Sequence, residues 1–235
     1  GSSSGLAKVT QHDIDLIKRI RGVKEAGGFV FKTSKFEFNG RTKYSLGIGI
    51  PDDEESRRVF GTRFAVSQGR EFRKGEQKAA IVGNSYSTDE KLMGRAIKPG
   101  DTVRVEGEAF KVVGIRRKIG DPANDVSVII PIETAWEIYG NKDEYALISA
   151  EVEEGFRPAD VAARIKDRLR KDRSQEEGDE DFQVQTSEDL FASFTTILSI
   201  VQAVIIGIAA ISLVVGSIGV MNTMYTAVLE RTREI

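Results

Sequence analysis

The hydrophobic pattern of the chain changes abruptly near residue 190. From Leu190 to Leu229, forty consecutive residues carry no charge, and the centre of this run, Ile197–Met221, is almost wholly apolar. A bilayer core about 30 Å thick is crossed by roughly 20 helical residues. The pattern therefore predicts a transmembrane helix over residues 197–224, which continues from a stalk helix over residues 187–196.

Before this run, short apolar segments alternate with polar turns. Thr10-Gln-His-Asp13 has the form of a capping box and predicts a helix start. Asn39-Gly40 stands between two strand-like segments, which is the strongest short hairpin signal. Apolar residues at helical spacing predict an amphipathic helix over Pro158–Arg170, and Ser87-Thr-Asp-Glu90 predicts the cap of a further short helix.

The segment between the amphipathic helix and the stalk is highly charged. Lys171–Asp181 lacks apolar anchors and predicts an exposed, mobile loop. Phe182–Gln185 then predicts a last strand, and Thr186-x-x-Asp189 predicts the cap of the stalk helix.

The charges on either side of the apolar run predict its orientation. Arg231 and Arg233 follow the run, whereas Glu188 and Asp189 precede it. Basic residues are enriched on the cytoplasmic side of membrane helices, and acidic residues contribute little to this bias. The C-terminal end is therefore predicted to be cytoplasmic, with residues 1–190 on the extracytoplasmic side of the cell membrane.

The order of the elements predicts an α+β extracytoplasmic module of two subdomains, followed by the long stalk and transmembrane α-helix. Residues 10–35 and 143–186 form a split α+β subdomain in this interpretation, and residues 36–142 form an inserted β-rich subdomain. Residues 1–9 are interpreted as a linker, and residues 225–235 as the start of a cytoplasmic coupling segment. We interpret the chain as a fragment of a longer protein.

Composition argues against several classes of protein. The 34 basic and 36 acidic residues are interspersed and give a net charge of −2, which is not typical of a nucleic-acid binder. The chain has no cysteine, which excludes disulfides and thiol catalysis. It has no phosphate-binding loop, zinc-protease motif or nucleophile elbow. We therefore expect no catalytic residue, cofactor site or metal site, and a capping or surface role for His12, the single histidine.

Small and polar residues recur on one side of the predicted membrane helix. The steps between successive members are 3, 4, 3 and 4 residues from Ala209 through Ser212, Gly216 and Gly219 to Thr223. Gln202 continues the same face. Small residues let helix backbones approach closely, and a glutamine in hydrocarbon favours a polar partner. This stripe predicts packing against another helix, although small residues are also common in membrane helices generally.

Two sets of motifs resemble one transporter family. Gly216-Ser-Ile-Gly219-Val-Met-Asn222-Thr-Met224 and Glu230-Arg-Thr-Arg-Glu-Ile235 resemble the start of the FtsX-like permease domain of MacB-type ABC transporters. The soluble part is similar to the extracytoplasmic core domain of that family, and the resemblance covers nearly all of Leu6–Ile235. Its matching motifs are Gly69-Arg-x-Phe72, Val82-Gly83, Val103-x-Val105-x-Gly107-x-x-Phe110-x-Val112-Val-Gly114 and Ile129-Ile-Pro131. Ala96-Ile-Lys-Pro-Gly100 departs from the family's Asp-Pro-Val-Gly turn.

The resemblance implies a permease subunit that is multi-pass in the full-length protein and works as a homodimer or related heterodimer. It implies an ABC ATPase partner, fused or separate, whose ATP hydrolysis drives conformational change of the outer domain, for export or for mechanotransmission. It further implies contact with membrane lipid and with an extracytoplasmic adaptor or substrate, and no binding of nucleic acid. By the same resemblance, the residues that contact the ATPase are Glu230, Arg231, Thr232, Arg233 and Glu234.

Two other functional classes remain compatible with the sequence. The chain fits a membrane-anchored extracytoplasmic binding or sensor domain that is not a transporter, and it fits, with less support from its motifs, an anchored hydrolase. The residues that follow Ile235 separate these classes, because a permease continues with further apolar spans.

Overall fold

The computed structural model describes residues 9–140 and 142–232, and the chain divides into two units, Gly1–Val184 and Gln185–Ile235. In chain order, the first elements are β1 (Val9–Thr10), α1 (Gln11–Lys18), β2 (Val23–Phe38), β3 (Arg41–Ile50), α2 (Glu54–Arg58), β4 (Val66–Gly69), β5 (Ala79–Val82), α3 (Asn84–Thr88) and α4 (Glu90–Met93). They are followed by β6 (Thr102–Val105), β7 (Glu108–Arg116), α5 (Pro122–Asp125), β8 (Val128–Pro131), α6 (Ile132–Tyr139), β9 (Glu144–Tyr145), β10 (Leu147–Val152), α7 (Pro158–Asp172) and α8 (Ser187–Thr232).

A mixed eight-stranded sheet organises the first unit. Seven of its strands lie in the order β10-β2-β3-β8-β5-β7-β4, and β6 pairs with β2 and β7. The pairs β3–β8 and β5–β7 are parallel, and the remaining pairs are antiparallel. The short strands β1 and β9 form a separate two-stranded sheet. The predicted α+β class and the long C-terminal helix are both confirmed.

The predicted hairpin at Asn39-Gly40 is confirmed. Both residues have positive φ, 50° and 72°, and the flanking strands pair from Phe38 opposite Arg41 onward. A two-residue turn with positive φ at both positions matches the right-handed twist of the strands. The strand β2 runs without a break through residue 36, where we predicted the start of an inserted subdomain. The division into two subdomains stays a prediction.

The sheet is buried on both faces. Helices α1, α6 and α7 pack on one face, and a group of phenylalanines from β2 and the segment after α2 packs on the other. Strand β5 shows the alternation directly, since Ala80 and Val82 join the first cluster while Ala79 and Ile81 join the second. Successive side chains of a strand point to opposite faces of the sheet. A strand that is buried on both faces therefore has a continuous run of apolar residues.

Two local predictions are wrong. The residues from Phe182 to Gln185 form no strand; instead Phe182 and Val184 pack against the first cluster as irregular chain. The short helix α4 is capped by Asp89, whose carboxylate accepts a hydrogen bond from the Lys91 amide, and not by Ser87. The hydroxyl of Ser87 donates to the carbonyl of Asn84 inside α3, which removes it as a cap.

A bidentate ion pair closes the loop that follows β4. The guanidinium of Arg70 donates to both carboxylate oxygens of Glu76 at 2.7 and 2.6 Å, and the Arg73 amide donates to the same carboxylate at 3.0 Å. The hydrogen bond from Arg70 lowers the pKa of Glu76 to about 2, against the opposing effect of burial. The charged form of Glu76 therefore stabilises the folded state.

Replacing this carboxylate is expected to make stability less dependent on pH. Because the pKa is lowered in the folded state, the stabilisation is present above the unfolded value of about 4.5 and is lost as pH falls toward 2. Glu76→Gln should cost about 1–2 kcal/mol at pH 7, allowing for solvent screening, and almost nothing near pH 2. Denaturant unfolding followed by fluorescence of the single tryptophan, Trp136, measures this difference.

The exposed pair between Glu54 and Arg58 provides the control. Its side chains are 74% and 69% exposed, so Glu54→Gln should change stability by less than about 0.5 kcal/mol at any pH. Equal and pH-independent losses for Glu54→Gln and Glu76→Gln would contradict the role given to the Arg70 pair.

Candidate functional site

The second unit contains the long helix α8, which begins with the predicted capping box. The Thr186 hydroxyl oxygen accepts from the Asp189 amide at 3.1 Å, and the Asp189 carboxylate accepts from the Thr186 amide and hydroxyl at 2.9 Å each. From Ser187 the helix continues for 46 residues without a proline. At 1.5 Å per residue its length is about 70 Å, roughly twice the thickness of a bilayer core.

Over most of its length, α8 is apolar enough to cross a membrane. In the described part of the chain one helix has this character, Ser187–Val228, with a mean hydropathy of 2.6 in its most apolar window and no burial inside the protein. The predicted stalk and transmembrane segments thus belong to one continuous helix. Its large apolar side chains are exposed, as Leu213 is at 73%. A surface of this kind is covered by lipid or by other helices in a folded protein.

All six residues predicted to pack against another helix lie on α8 and are exposed: Gln202, Ala209, Ser212, Gly216, Gly219 and Thr223. With 100° of rotation per residue, they fall within an arc of about 100°. Ser212 and Gly216 also border a shallow apolar depression on the neighbouring face of α8, which includes Val220. Their role in helix packing stays a prediction.

The chain itself offers no reason for the glycines of this stripe. A Cβ atom added at Gly216 or Gly219 would meet nothing within 4 Å, apart from the neighbouring backbone of the helix. Glycine in a helix interior costs about 1 kcal/mol relative to alanine in water, and no contact among the described residues offsets that cost at these positions. The hydroxyls of Ser212 and Thr223 donate to the carbonyls of Ile208 and Gly219 at 2.9 Å each, which satisfies them within α8. Apart from Gln202, the stripe is therefore a smooth, low-polarity face.

The glycines of the soluble unit show the opposite situation. Gly69 has φ +82°, and a Cβ at that position would overlap the backbone carbonyl oxygen of Val113. A Cβ at Gly83 would overlap the backbone carbonyl oxygen of Asp125. These close approaches explain two glycines of the Gly-Arg-x-Phe and Val-Gly motifs. They are tertiary contacts, so the motif residues gave the only sequence signal for them.

The residues predicted to meet an ATPase lie at the end of the described chain. The backbone of α8 includes Glu230, Arg231 and Thr232, whose side chains the structure does not describe. Arg233 and Glu234 lie outside the described residues. Contact of this segment with an ATPase stays a prediction.

The soluble unit holds polar groups that the sequence did not single out. Arg116 is fully buried, and its guanidinium donates to the Arg63 carbonyl at 2.7 and 2.9 Å and to the Ser127 hydroxyl at 3.1 Å. Burial lowers the pKa of Arg116, because it disfavours the charged guanidinium.

Burial raises the pKa of Tyr145 to about 12, because the charged form of tyrosine is the deprotonated one. The Tyr145 hydroxyl donates to the Gln11 amide oxygen at 2.6 Å. These contacts fix loops and helices against the sheet.

No group of acidic, histidine or cysteine side chains with the arrangement of a metal site occurs within residues 9–140 and 142–232. His12 lies at the start of α1, where its Nε2 atom is 2.9 Å from a carboxylate oxygen of Asp172. The side chain thus joins α1 to the end of α7.

Comparison with known proteins gives consistent matches along the chain. The family model described as "MacB-like periplasmic core domain" matches residues 1–168. The ABC transporter permease MJ1507 of Methanocaldococcus jannaschii, itself uncharacterized, is 34% identical over 228 residues, which cover 96% of this chain and 55% of that protein. The macrolide export ATP-binding/permease protein MacB of Chlorobium luteolum is 31% identical over 240 residues, covering 98% of this chain and 35% of that protein.

A solved structure shares the fold. The periplasmic region of MacB from Actinobacillus actinomycetemcomitans superposes with a TM-score of 0.64 at 11% identity, covering 80% of this chain and 84% of that one. The chain spans about half the length of MJ1507 and about a third of the Chlorobium protein. Because the family model matches well over half of the sequence and the fold agrees, the chain belongs to the MacB-like periplasmic core domain family.

Proposed function

We propose that this chain is part of the permease subunit of a MacB-type ABC transporter, in which ATP hydrolysis by a fused or separate ATPase drives conformational change on the extracytoplasmic side. The observation that carries the proposal is the extent of the likeness to MJ1507, which is named as an ABC transporter permease. That likeness covers 96% of this chain and so includes both the soluble unit and α8. In this proposal the chain supplies the extracytoplasmic domain and one membrane helix.

The continuity of α8 supports a mechanical role. A helix of 46 residues without proline is long enough to pass from the cytoplasmic side of a bilayer into the space beyond the other side. Motion at one end of such a helix reaches the other end unless the helix bends. Coupling of this kind serves export, as in the name of the Chlorobium relative, or mechanical work outside the membrane without transport.

The partners follow from the same proposal. Lipid and other permease helices cover the exposed surface of α8, with the stripe around Gly216 facing a helix of the same protomer or of a second one. The arginines at positions 231 and 233 favour a cytoplasmic C-terminal end, with residues 1–190 outside the cytoplasm. The ATPase meets the segment from Glu230 to Glu234, and an adaptor or substrate meets the soluble unit.

A charge reversal in the full-length protein tests the ATPase contact. The double variant Arg231→Glu/Arg233→Glu is expected to weaken association with the ATPase by at least about tenfold, because like charges at an interface are repulsive. Co-purification of the two proteins and the rate of ATP hydrolysis in nanodiscs measure the effect. The matched control is Arg19→Glu/Arg168→Glu, which reverses two exposed charges in the soluble unit.

Normal association and normal coupled activity in Arg231→Glu/Arg233→Glu would contradict the proposed contact. The alternative function, a membrane-anchored extracytoplasmic binding or sensor domain, predicts no ATPase in the purified complex even for the unchanged protein.

A further inference from the structure

The segment that leads from α7 to α8 is tied to the soluble unit by ion pairs. This lead-in segment comprises residues 173–184. The guanidinium of Arg173 lies 3.0 Å from a carboxylate oxygen of Asp13 and 3.0 Å from one of Asp181. Further along, Glu180 lies 3.2 Å from Lys166 and 3.6 Å from Arg170, both on α7. Most residues of the predicted loop Lys171–Asp181 are exposed as expected, and its mobility stays a prediction. Ion pairs nevertheless connect Arg173 to α1 and Glu180 to α7.

The pair between Asp13 and Arg173 is well shielded from solvent. The two side chains are 5% and 17% exposed. The Asp13 carboxylate also accepts hydrogen bonds from the Thr10 amide at 2.7 Å and the Thr10 hydroxyl at 3.1 Å, at the first turn of α1. A shielded pair is weakened by salt much less than a surface pair, and loss of one partner leaves a buried charge without compensation.

Apolar contacts continue the attachment to the end of the lead-in segment. The Arg173 guanidinium lies 5.4 Å from the ring centre of Phe182, and Phe182 and Val184 pack against the first hydrophobic cluster. The helix α8 begins at Ser187. Two residues, 185 and 186, thus lie in the sequence between the last anchored position and the helix.

Arg173 therefore joins two distant parts of the chain, 160 residues apart in the case of Asp13. One part is the first turn of α1. The other is the lead-in segment, where the chain leaves the soluble unit. The contact between His12 and Asp172 connects α1 to the last residue of α7, next to the lead-in segment.

We propose that Arg173, Asp13 and Asp181 form a clasp that makes the lead-in segment part of the rigid soluble unit, so that displacement of α8 is passed to the sheet and is not absorbed by a flexible loop. The source of the displacement rests on the proposed function. The clasp itself does not, and its existence can be tested without ATP. Arg173 is a positioning residue in this proposal.

The absence of cysteine from the chain makes a direct test possible, because introduced cysteines are the only ones. Spin labels at Arg19→Cys, on the exposed end of α1, and at Glu177→Cys, an 86% exposed position of the lead-in segment, report their separation by pulsed electron resonance. With the clasp intact, the distance distribution should be narrow. In Arg173→Gln it should broaden by about twofold or more, because a neutral amide cannot hold two carboxylates.

Two further variants keep the test decisive. Arg168→Gln removes an exposed arginine of α7 that has no ion pair within the described residues, and it should leave the distribution narrow. Arg173→Lys retains the charge without the forked geometry, so an intermediate broadening is expected. This variant carries the test if Trp136 fluorescence shows that Arg173→Gln fails to fold. A broad distribution in the unchanged chain, or an unchanged one in both Arg173 variants, would overturn the clasp.

A functional arm separates this proposal from the one on which it rests. In the full-length permease with its ATPase, Arg173→Gln should keep ATP hydrolysis but reduce nucleotide-dependent motion of the soluble unit. A bifunctional maleimide joining the same two cysteines should restore that motion. If the unchanged protein shows no nucleotide-dependent motion, the proposed function fails while the distance test of the clasp stands. If the cross-link restores nothing, the mechanical role of the clasp is refuted.

Discussion

Gly69→Ala should cost about 3–5 kcal/mol of stability, a large part of the about 5–15 kcal/mol by which folded domains are typically stable. Two contributions to the loss of stability add in this variant. The positive φ of +82° costs a residue with a Cβ atom about 1–2 kcal/mol. The new methyl group also overlaps the carbonyl oxygen of Val113, and this backbone cannot move easily because the same oxygen accepts from the Arg70 amide at 2.9 Å. Denaturant unfolding measures the loss.

Gly107→Ala separates the two terms. Gly107 has nearly the same backbone conformation, φ +85°, but a Cβ there would meet nothing within 4 Å. The loss should therefore be limited to the backbone term of about 1–2 kcal/mol. Equal losses of stability for Gly69→Ala and Gly107→Ala would show that the close approach of Gly69 to β7 is not the reason for a glycine at position 69.

Gly216→Leu is expected to disrupt assembly of the full-length permease, with association between membrane helices weakened by at least about tenfold. In lipid there is little hydrophobic drive between helices, so close backbone approach supplies much of the contact and a bulky side chain removes it. The soluble unit should be unaffected, which Trp136 fluorescence checks. Cross-linking of protomers in native membranes, together with coupled ATP hydrolysis, measures assembly.

Two controls accompany this variant. Val214→Leu lies about 160° around the helix from Gly216 and keeps the segment apolar. Gly207→Leu makes the same change of side chain about 180° away from the stripe, at a glycine that is equally free of contacts within the chain. If all three variants assemble and function alike, the stripe reflects composition alone, and α8 is better interpreted as a generic membrane anchor.

Local chemistry explains which parts of the fold could be predicted. The Asn39-Gly40 turn and the Thr186–Asp189 cap depend on residues next to one another, and both are confirmed. The uncharged run likewise predicted α8 directly, because helix length in a membrane depends on a contiguous segment. Such features are encoded within a few residues of the place where they act.

The wrong prediction of a strand over residues 182–185 reflects competition from distant contacts. Phe182 and Val184 alternate as in a strand, but their side chains pack against the first hydrophobic cluster and their backbone pairs with no strand among the described residues. The ion pair between Arg173 and Asp13 could not be predicted either, because the two residues lie far apart in the sequence. Pairing across 160 residues leaves no signal in a single sequence.

In the candidate site, too, local features could be predicted and features that depend on distant contacts could not. The positions of the stripe on one face of α8 follow from helical periodicity alone. Only the structure shows what distinguishes Gly216 and Gly219. Within the described chain, no atom lies close enough to either position to exclude a larger side chain.

Nucleotide-dependent motion of the soluble unit tests the central claim most directly. In the proposed assembly of two full-length protomers with an ATPase, spin labels can be placed at Tyr44→Cys, a 76% exposed position in β3, and studied in nanodiscs. Coupling of ATP hydrolysis to extracytoplasmic motion predicts different distance distributions in the nucleotide-free and ATP-bound states. The same distribution in both states, while ATP is hydrolysed at the normal rate, would contradict the account.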